Sequence, residues 1–398
     1  MSNVLSGIRV LDLTNVLAGP YSCYLLAQLG AEVIKVERAD SGDLARQLGA
    51  DSELNQKKMG VSFLAQNAGK MSMTLNLKDP VGKEIFKKLV KNSDVVVENF
   101  RAGVMKRLEL DYDSLKEINP KLIYCSISGF GQDGPMAPLQ AYDQIVQGLS
   151  GVMSVTGDEE TGPLRVGYPL CDTIGGLTAS FAISAALYRR TQTNQGENID
   201  VSMLESTLST MGWVVSNWLI AGVAPTRLGN QNMTAAPSGA FKTKDGLLNI
   251  AANQQKQFER LSKIVGRETW LSDPKFNDRE ARKVNREELN KELENALSKK
   301  TAKEWAALLN QNDVPAGEVQ SIPDVLAHPQ VEARDFIQKI SNDQGHEINV
   351  VRAGFKLGSG DPKLNSYPPE LGQHTEELLL ELGYSSDDLS YFKQAQII

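Results

Sequence analysis

Cysteine and histidine are scarce, three of each in 398 residues. Cys23, Cys125 and Cys171 show neither metal-ligand spacing nor a disulfide framework. That excludes a zinc module and a disulfide-stapled secreted fold, so no resident metal and a reducing, cytoplasmic setting are expected. Long apolar runs are also missing. Residues 175–187 and 211–224 come closest, but they are short and carry Ser, Thr or Asn, so no bilayer span and no membrane partner are expected. A hydrophobic strand pattern begins by Ile8, where a signal peptide would need its own apolar core. Basic charge is not in excess. The net charge of −7 speaks against a nucleic-acid partner, while leaving room for a small anionic ligand held by a local Arg/Lys cluster. No internal repeat or low-complexity segment occurs.

What is present reads as globular: 41% of residues are hydrophobic and 23% charged. The length calls for two domains. Residues 7–14 alternate as a strand, residues 21–29 place Tyr21, Leu25, Leu26 and Leu29 on one helix face, and residues 33–36 form a second strand. This βαβ opening predicts an α/β fold with a Rossmann-like parallel sheet. The glycine fingerprint for a dinucleotide is missing, because the first turn, residues 15–19, holds the single glycine Gly19. NAD is therefore not expected. Further strands are read at 73–77, 94–98, 122–128 and 198–203, with an amphipathic helix at 80–91 and a long helix at 204–223. Near Pro225 the character changes. A hairpin around Lys244-Asp245-Gly246 and interrupted helices to about Leu326 predict a smaller α+β domain. Strand character returns at 346–351, and a final helix is read at 376–382.

Ligands in such folds sit at the C-terminal ends of the strands. Arg38 and Arg46 after the second strand are candidate phosphate ligands there. Asn99, Phe100 and Arg101 close the strand at 94–98. The glycine-rich loop at 129–134 precedes Tyr142 and Asp143. Asp172 stands out, in the sequence Tyr168-Pro169-Leu170-Cys171-Asp172-Thr173-Ile174-Gly175-Gly176. It stands where a helix begins, which fits an N-cap. It can at the same time be a nucleophilic carboxylate, ionised by the helix N-terminus, with Gly175 and Gly176 leaving room for a ligand to approach.

Taken together, residues 7–20, 32–37, 95–103, 128–135, 141–143, 168–176 and 371–383 resemble the class III CoA-transferases, of the formyl-CoA and carnitine CoA-transferase type. The resemblance implies a large Rossmann-like domain built from both chain ends, 1–205 and 335–398, a small domain at 225–325, and linkers at 206–224 and 326–334. It implies an interlocked homodimer. It implies Asp172 as a nucleophile that forms a mixed anhydride and then an aspartyl-CoA thioester, with Tyr142 and Asp143 beside the reacting thioester. The implied CoA contacts are Val16, Ala18, Arg38, Asn99, Phe100 and Arg107. No cofactor is held permanently; acyl-CoA and a small carboxylic acid are the substrates. Leu17 and Gln140 stand where some members carry Gln and Lys, and residues 251–255 lack the glycines of a loop found in others. These departures count against a formyl-CoA/oxalate specificity.

Two other functions are consistent with the fold. A racemase of α-methylacyl-CoA belongs to the same superfamily, but it needs a histidine where this chain has Tyr142, and His328, His346 and His374 all fall in the last fifth of the chain. A non-catalytic CoA-binding protein is the other, since fold alone proves no activity.

Overall fold

The computed structural model describes residues 4–398. Six parallel strands form the main sheet: β1 (Arg9–Asp12), β2 (Glu32–Glu37), β3 (Lys70–Thr74), β4 (Val95–Glu98), β5 (Ile123–Ser128) and β6 (Glu197–Ser202). Their order is β3-β2-β1-β4-β5-β6. The chain winds outward from β1 in one direction and from β4 in the other, so the switch point lies between these two strands.

The apolar residues explain the layering. Alternate residues of one strand face opposite sides. Val10, Val33, Val95 and Val97 belong to one core, covered by α1 (Ala18–Gln28). Leu11, Ile34, Val36 and Val96 belong to the other, covered by α2 (Pro80–Lys91) through Ile85, Phe86, Leu89 and Val90. Strands buried on both faces read as apolar runs, as in Val95-Val96-Val97. Asp79 caps α2 through the Val81 amide, with Pro80 at its first position.

Four helices concern the site and its surroundings: α3 (Asp143–Leu149), α4 (Leu170–Thr193), α5 (Met203–Thr210) and α6 (Gly212–Ala221). The single helix expected at 204–223 is two, broken at Met211. Gly212 follows a run whose Thr207, Ser209 and Thr210 hydroxyls bond back to carbonyls of the preceding turn, which weakens helix continuation. Helix α4 is long and apolar enough to cross a bilayer, contrary to the expectation from residues 175–187 alone. Its Ala179, Ile183 and Leu187 are instead buried in the core shared with α1. The third strand lies three residues earlier than its expected range, at Lys70–Thr74, because buried Lys70 is paired with Asp12.

Contacts divide the chain into two compact units. One comprises residues up to Val152, Arg165–Val223 and Glu332–Ile398; the other comprises Met153–Leu164 and Ala224–Val331. The second unit carries an antiparallel sheet of β7 (Ser238–Lys242), β8 (Leu247–Ala251) and β9 (Ala316–Glu318), with its own core around Phe241, Phe258, Trp270 and Trp305. Residues 251–255 end β8 and begin a helix at Gln255. In the first unit, β10 (Ile337–Ser341) pairs with β11 (Glu347–Val351) as a separate hairpin. Helices α7 (Thr375–Glu381) and α8 (Ser386–Gln394) then add Leu378, Leu379, Leu389 and Phe392 to the core beside α2.

Candidate active site

The C-terminal ends of β1 to β4 open on a cleft of about 900 Å³. Asn15, Glu37, Arg38, Lys78, Phe100 and Arg107 are among its lining residues. Arg38 is exposed and reaches Asp40 at 2.7 Å, a surface pair that an anionic ligand can displace. Arg107 is exposed on the short helix Val104–Leu108. Phe100 is half-buried and packs against the core, leaving part of its ring to the cleft. Asn99 faces inward to the first turn. Its Oδ1 accepts from the Asn15 amide and its Nδ2 donates to the Asn15 carbonyl, each at 2.8 Å. Asn99 thus ties the end of β1 to the end of β4 across the switch point. Arg46 is no phosphate ligand. It is buried, forked onto Glu37 with two contacts of 2.7 Å, and lies over the Phe63 ring.

Asp172, Asp143 and Tyr142 form a second group at the start of α4. The structure corrects the expectation that Asp172 caps this helix. The helix begins at Leu170, so Asp172 is its third residue, and the cap position is taken by Pro169, whose ring has no hydrogen-bonding group to offer. The cap comes from elsewhere. Buried Asp143, at the start of α3, accepts the Cys171 amide at 2.8 Å and the Asp172 amide at 3.4 Å through Oδ1. Its Oδ2 accepts from Gln147 Nε2 at 2.7 Å. The negative end of one side chain therefore occupies the positive end of another helix.

Two carboxyl groups at one helix start oppose each other's charge. Burial, and after it the charge of Asp143, push the Asp172 carboxyl up from 3.8 to about 7. Carboxyls raised into this range cluster at functional sites. Tyr142 stands at the cap position of α3 and is 65% exposed, open to a ligand. Gly175 and Gly176 do not make room for a ligand. A Cβ on Gly176 would lie 2.5 Å from the Ala18 carbonyl, and one on Gly175 would lie 3.0 Å from Met203. They permit close packing of α4 on α1 and α5. Ala18 itself is buried in that packing.

The structure thus gathers Arg38, Phe100 and Arg107 around the cleft, with Asn99 beneath its edge, and Tyr142, Asp143 and Asp172 at the start of α4. Val16 and Ala18 lie at the entry to α1, which packs on α4. Gln147 is the residue that sequence reasoning missed. It is fully buried, and besides Asp143 it donates to the Tyr168 carbonyl at 3.1 Å and accepts from the Val166 amide at 2.8 Å. It fastens the segment leading into α4. Its place four residues after Asp143, on the same helix face, was the available signal. His374 is occupied far from this group, where its Nδ1 accepts the Ser72 amide at 3.1 Å.

The family model described as CoA-transferase family III matches residues 5–375. A succinate–glutarate CoA-transferase of Agrobacterium fabrum is 36% identical over 381 residues, 95% of each chain. An acetyl-CoA:oxalate CoA-transferase of Acetobacter aceti is 40% identical over 334 residues, 84% of this chain and 85% of its own. Among solved structures, a CAIB/BAIF family protein from Brucella suis superposes with a TM-score of 0.85 at 35% identity, covering 96% of this chain and all of its own.

Proposed function

Because the chain belongs to CoA-transferase family III and is therefore a CoA-transferase, we propose that it moves coenzyme A from an acyl-CoA to a small carboxylic acid through covalent intermediates on Asp172. The observation that carries this reading is the placement of Asp172: a carboxyl on the first turn of α4, capped by Asp143 and near the exposed Tyr142. An Asp172 oxygen attacks the thioester carbon, and the carbon–sulfur bond breaks to release CoA thiolate and leave a mixed anhydride. The thiolate attacks the aspartyl carbon of that anhydride, expelling the donor acid and giving an aspartyl-CoA thioester. The acceptor carboxylate displaces the thiolate to form a second anhydride. Attack of the thiolate on the acceptor carbonyl then frees Asp172. No water is consumed and no electrons are exchanged, and each step trades one activated acyl bond for another. Tyr142 donates a hydrogen bond to the thioester oxygen as charge gathers there.

The names of similar proteins support the substrate class. Succinate, glutarate and oxalate are short dicarboxylates, so we assign succinyl-CoA as donor and a short dicarboxylic or hydroxy acid as acceptor. Succinyl-CoA with hydroxylamine should convert Asp172 to its hydroxamate, seen as a mass shift on one peptide. An unmodified Asp172 in an enzyme that turns over would remove the mechanism.

The cleft at the sheet edge takes the nucleotide portion of CoA in this reading. Arg38→Ala and Arg107→Ala should each raise KM for acyl-CoA roughly five- to tenfold, with a smaller change in kcat. Phosphate contacts act alike in the ground and transition states. Steady-state kinetics that leave KM unchanged in both variants would take these residues out of the site.

The protein is also proposed to be an interlocked homodimer, with residues 206–224 and 326–334 as connections between a large and a small domain. Helix α6 buries none of its residues, and Trp213 and Ile220 are 81% and 85% exposed. Phe181 on α4 is 77% exposed. Aromatic and aliphatic groups left open in this way mark an association surface. Sedimentation equilibrium should give a dimer at micromolar concentration; a monomer there would count against it.

A further inference from the structure

The turn after β1 holds a β-branched residue in the left-handed region: Val16 has φ of 68°. Such a conformation is a true outlier, and it persists only where the surroundings over-determine it. Here each backbone polar group from the Thr14 amide to the Val16 amide is held by a side chain. Asp12 Oδ1 accepts the Thr14 amide at 2.9 Å, and Lys35 Nζ donates to the Thr14 carbonyl at 2.7 Å. Asn99 takes both groups of Asn15. Asp43 Oδ1 accepts the Val16 amide at 2.9 Å.

The groups that grip the turn are themselves buried ions. Asp12, Lys35 and Asp43 have at most 1% of their surface exposed. Lys35 pairs with Asp43 at 2.9 Å, and Asp12 pairs with Lys70 at 2.9 Å. Asp43 also accepts the Ala45 amide, and its own amide donates to Glu37. Apolar residues of similar size would stabilise such a site at least as well as ion pairs do. What the ions add is direction: each fixes one backbone group at one angle. The turn so fixed lies at the switch point, and its Asn15 lines the cleft.

We propose that Asp43, backed by Lys35, is a positioning residue that holds the turn at residues 14–16 in its left-handed form and so shapes the nucleotide cleft before CoA arrives. The proposal rests on reading that cleft as the CoA site. It predicts a specific coupling. Without Asp43, Val16 relaxes to an extended conformation and the turn is lost. Glycine in its place has no Cβ opposing a positive φ and keeps the left-handed form within reach.

The test is a double-mutant cycle read by calorimetric titration with CoA, together with amide hydrogen exchange of the free protein. Asp43→Ala should weaken CoA binding by about tenfold or more, and in a Val16→Gly background the same change should cost about threefold or less. Equal losses in both backgrounds would overturn the proposal. In the free protein, exchange at the Val16 amide should rise about tenfold in Asp43→Ala while the amides of β1 stay protected. A uniform rise along β1 would mean that Asp43 merely stabilises the fold. Should Asp43→Ala fail to fold, Asp43→Asn keeps an oxygen for both amides but withdraws the charge facing Lys35. The same local rise is expected there, smaller in size, and none at Val16 would equally overturn the proposal. A wild-type protein that binds no CoA would remove the functional reading alone, because exchange judges the turn without ligand.

Discussion

Asp172→Asn is expected to lower CoA transfer by at least about 10⁴-fold, since an amide cannot form the anhydride, and at the same time to raise the melting temperature. The second effect follows from geometry. Asp172 is not the cap of α4, so its replacement removes no cap, and its carboxylate is opposed by Asp143. The sign of the pH dependence is fixed by the direction of its shift. In the folded protein Asp172 keeps its proton up to about 7, whereas an unperturbed aspartate loses it near 3.8. Between those values the folded state holds more protons than the unfolded state, so this residue subtracts stability as pH rises through the window. Asp172→Asn should therefore melt higher than wild type at about pH 8 and equal to it at about pH 4. Calorimetric scans at the two pH values check this. Wild-type kcat should rise through about pH 7 as the nucleophile ionises. A pure helix cap would predict an active variant of about wild-type stability, since Asn caps about as well as Asp.

Asp143→Ala should be the next most damaging change. It strands the Cys171 and Asp172 amides and takes from the Gln147 side chain one of its partners, leaving it Tyr168 and Val166. A lost cap costs about 1 kcal/mol, and buried groups left without partners add to that. Turnover should fall by about 10²-fold, because the first turn of α4 no longer fixes the angle at which Asp172 meets the thioester. Asp143→Asn separates the structural part from the electrostatic part. It retains an oxygen for the amides but withdraws the charge that opposes ionisation of Asp172. The pH–rate midpoint of Asp143→Asn should therefore move below that of wild type. An unmoved midpoint would show that Asp143 only holds the helix.

Much of the sheet was legible because its strands are buried on both faces. Val95-Val96-Val97 has no reading in which water covers either side, and Pro80 with Asp79 marks the helix start at α2. The first turn holds no run of glycines, and in their place a strained valine is held by Asn99 and by three buried ions, Asp12, Lys35 and Asp43. What the chain did not disclose were partnerships over long separations. Asp143 caps a helix through the Cys171 amide, 28 residues later, and no local pattern at either end announces it. Gly175 and Gly176 carry the same letter whether a ligand or another helix approaches. Arg46 carries the same charge whether phosphate or Glu37 receives it, and only the fold decides that Glu37 does.

The long return of the chain to β3 has a consequence for the protein's birth. His374 and Thr375 bond to Ser72 and Thr74, sequence separations of 302 and 301 residues, and Asn76 donates to the Ile397 carbonyl. Leu378, Leu379, Leu389, Phe392 and Ile397 complete a core whose other buried members lie in the first third of the chain. A ribosome adding roughly 5–20 residues per second needs roughly 15–60 s to travel that distance. Throughout that interval this apolar side of the sheet is covered by α2 but not by α7 and α8, and the loop to be closed is long enough that closure itself is slow. Yield of active protein should therefore depend on what shields the nascent chain during the wait more than on the stability of the finished fold.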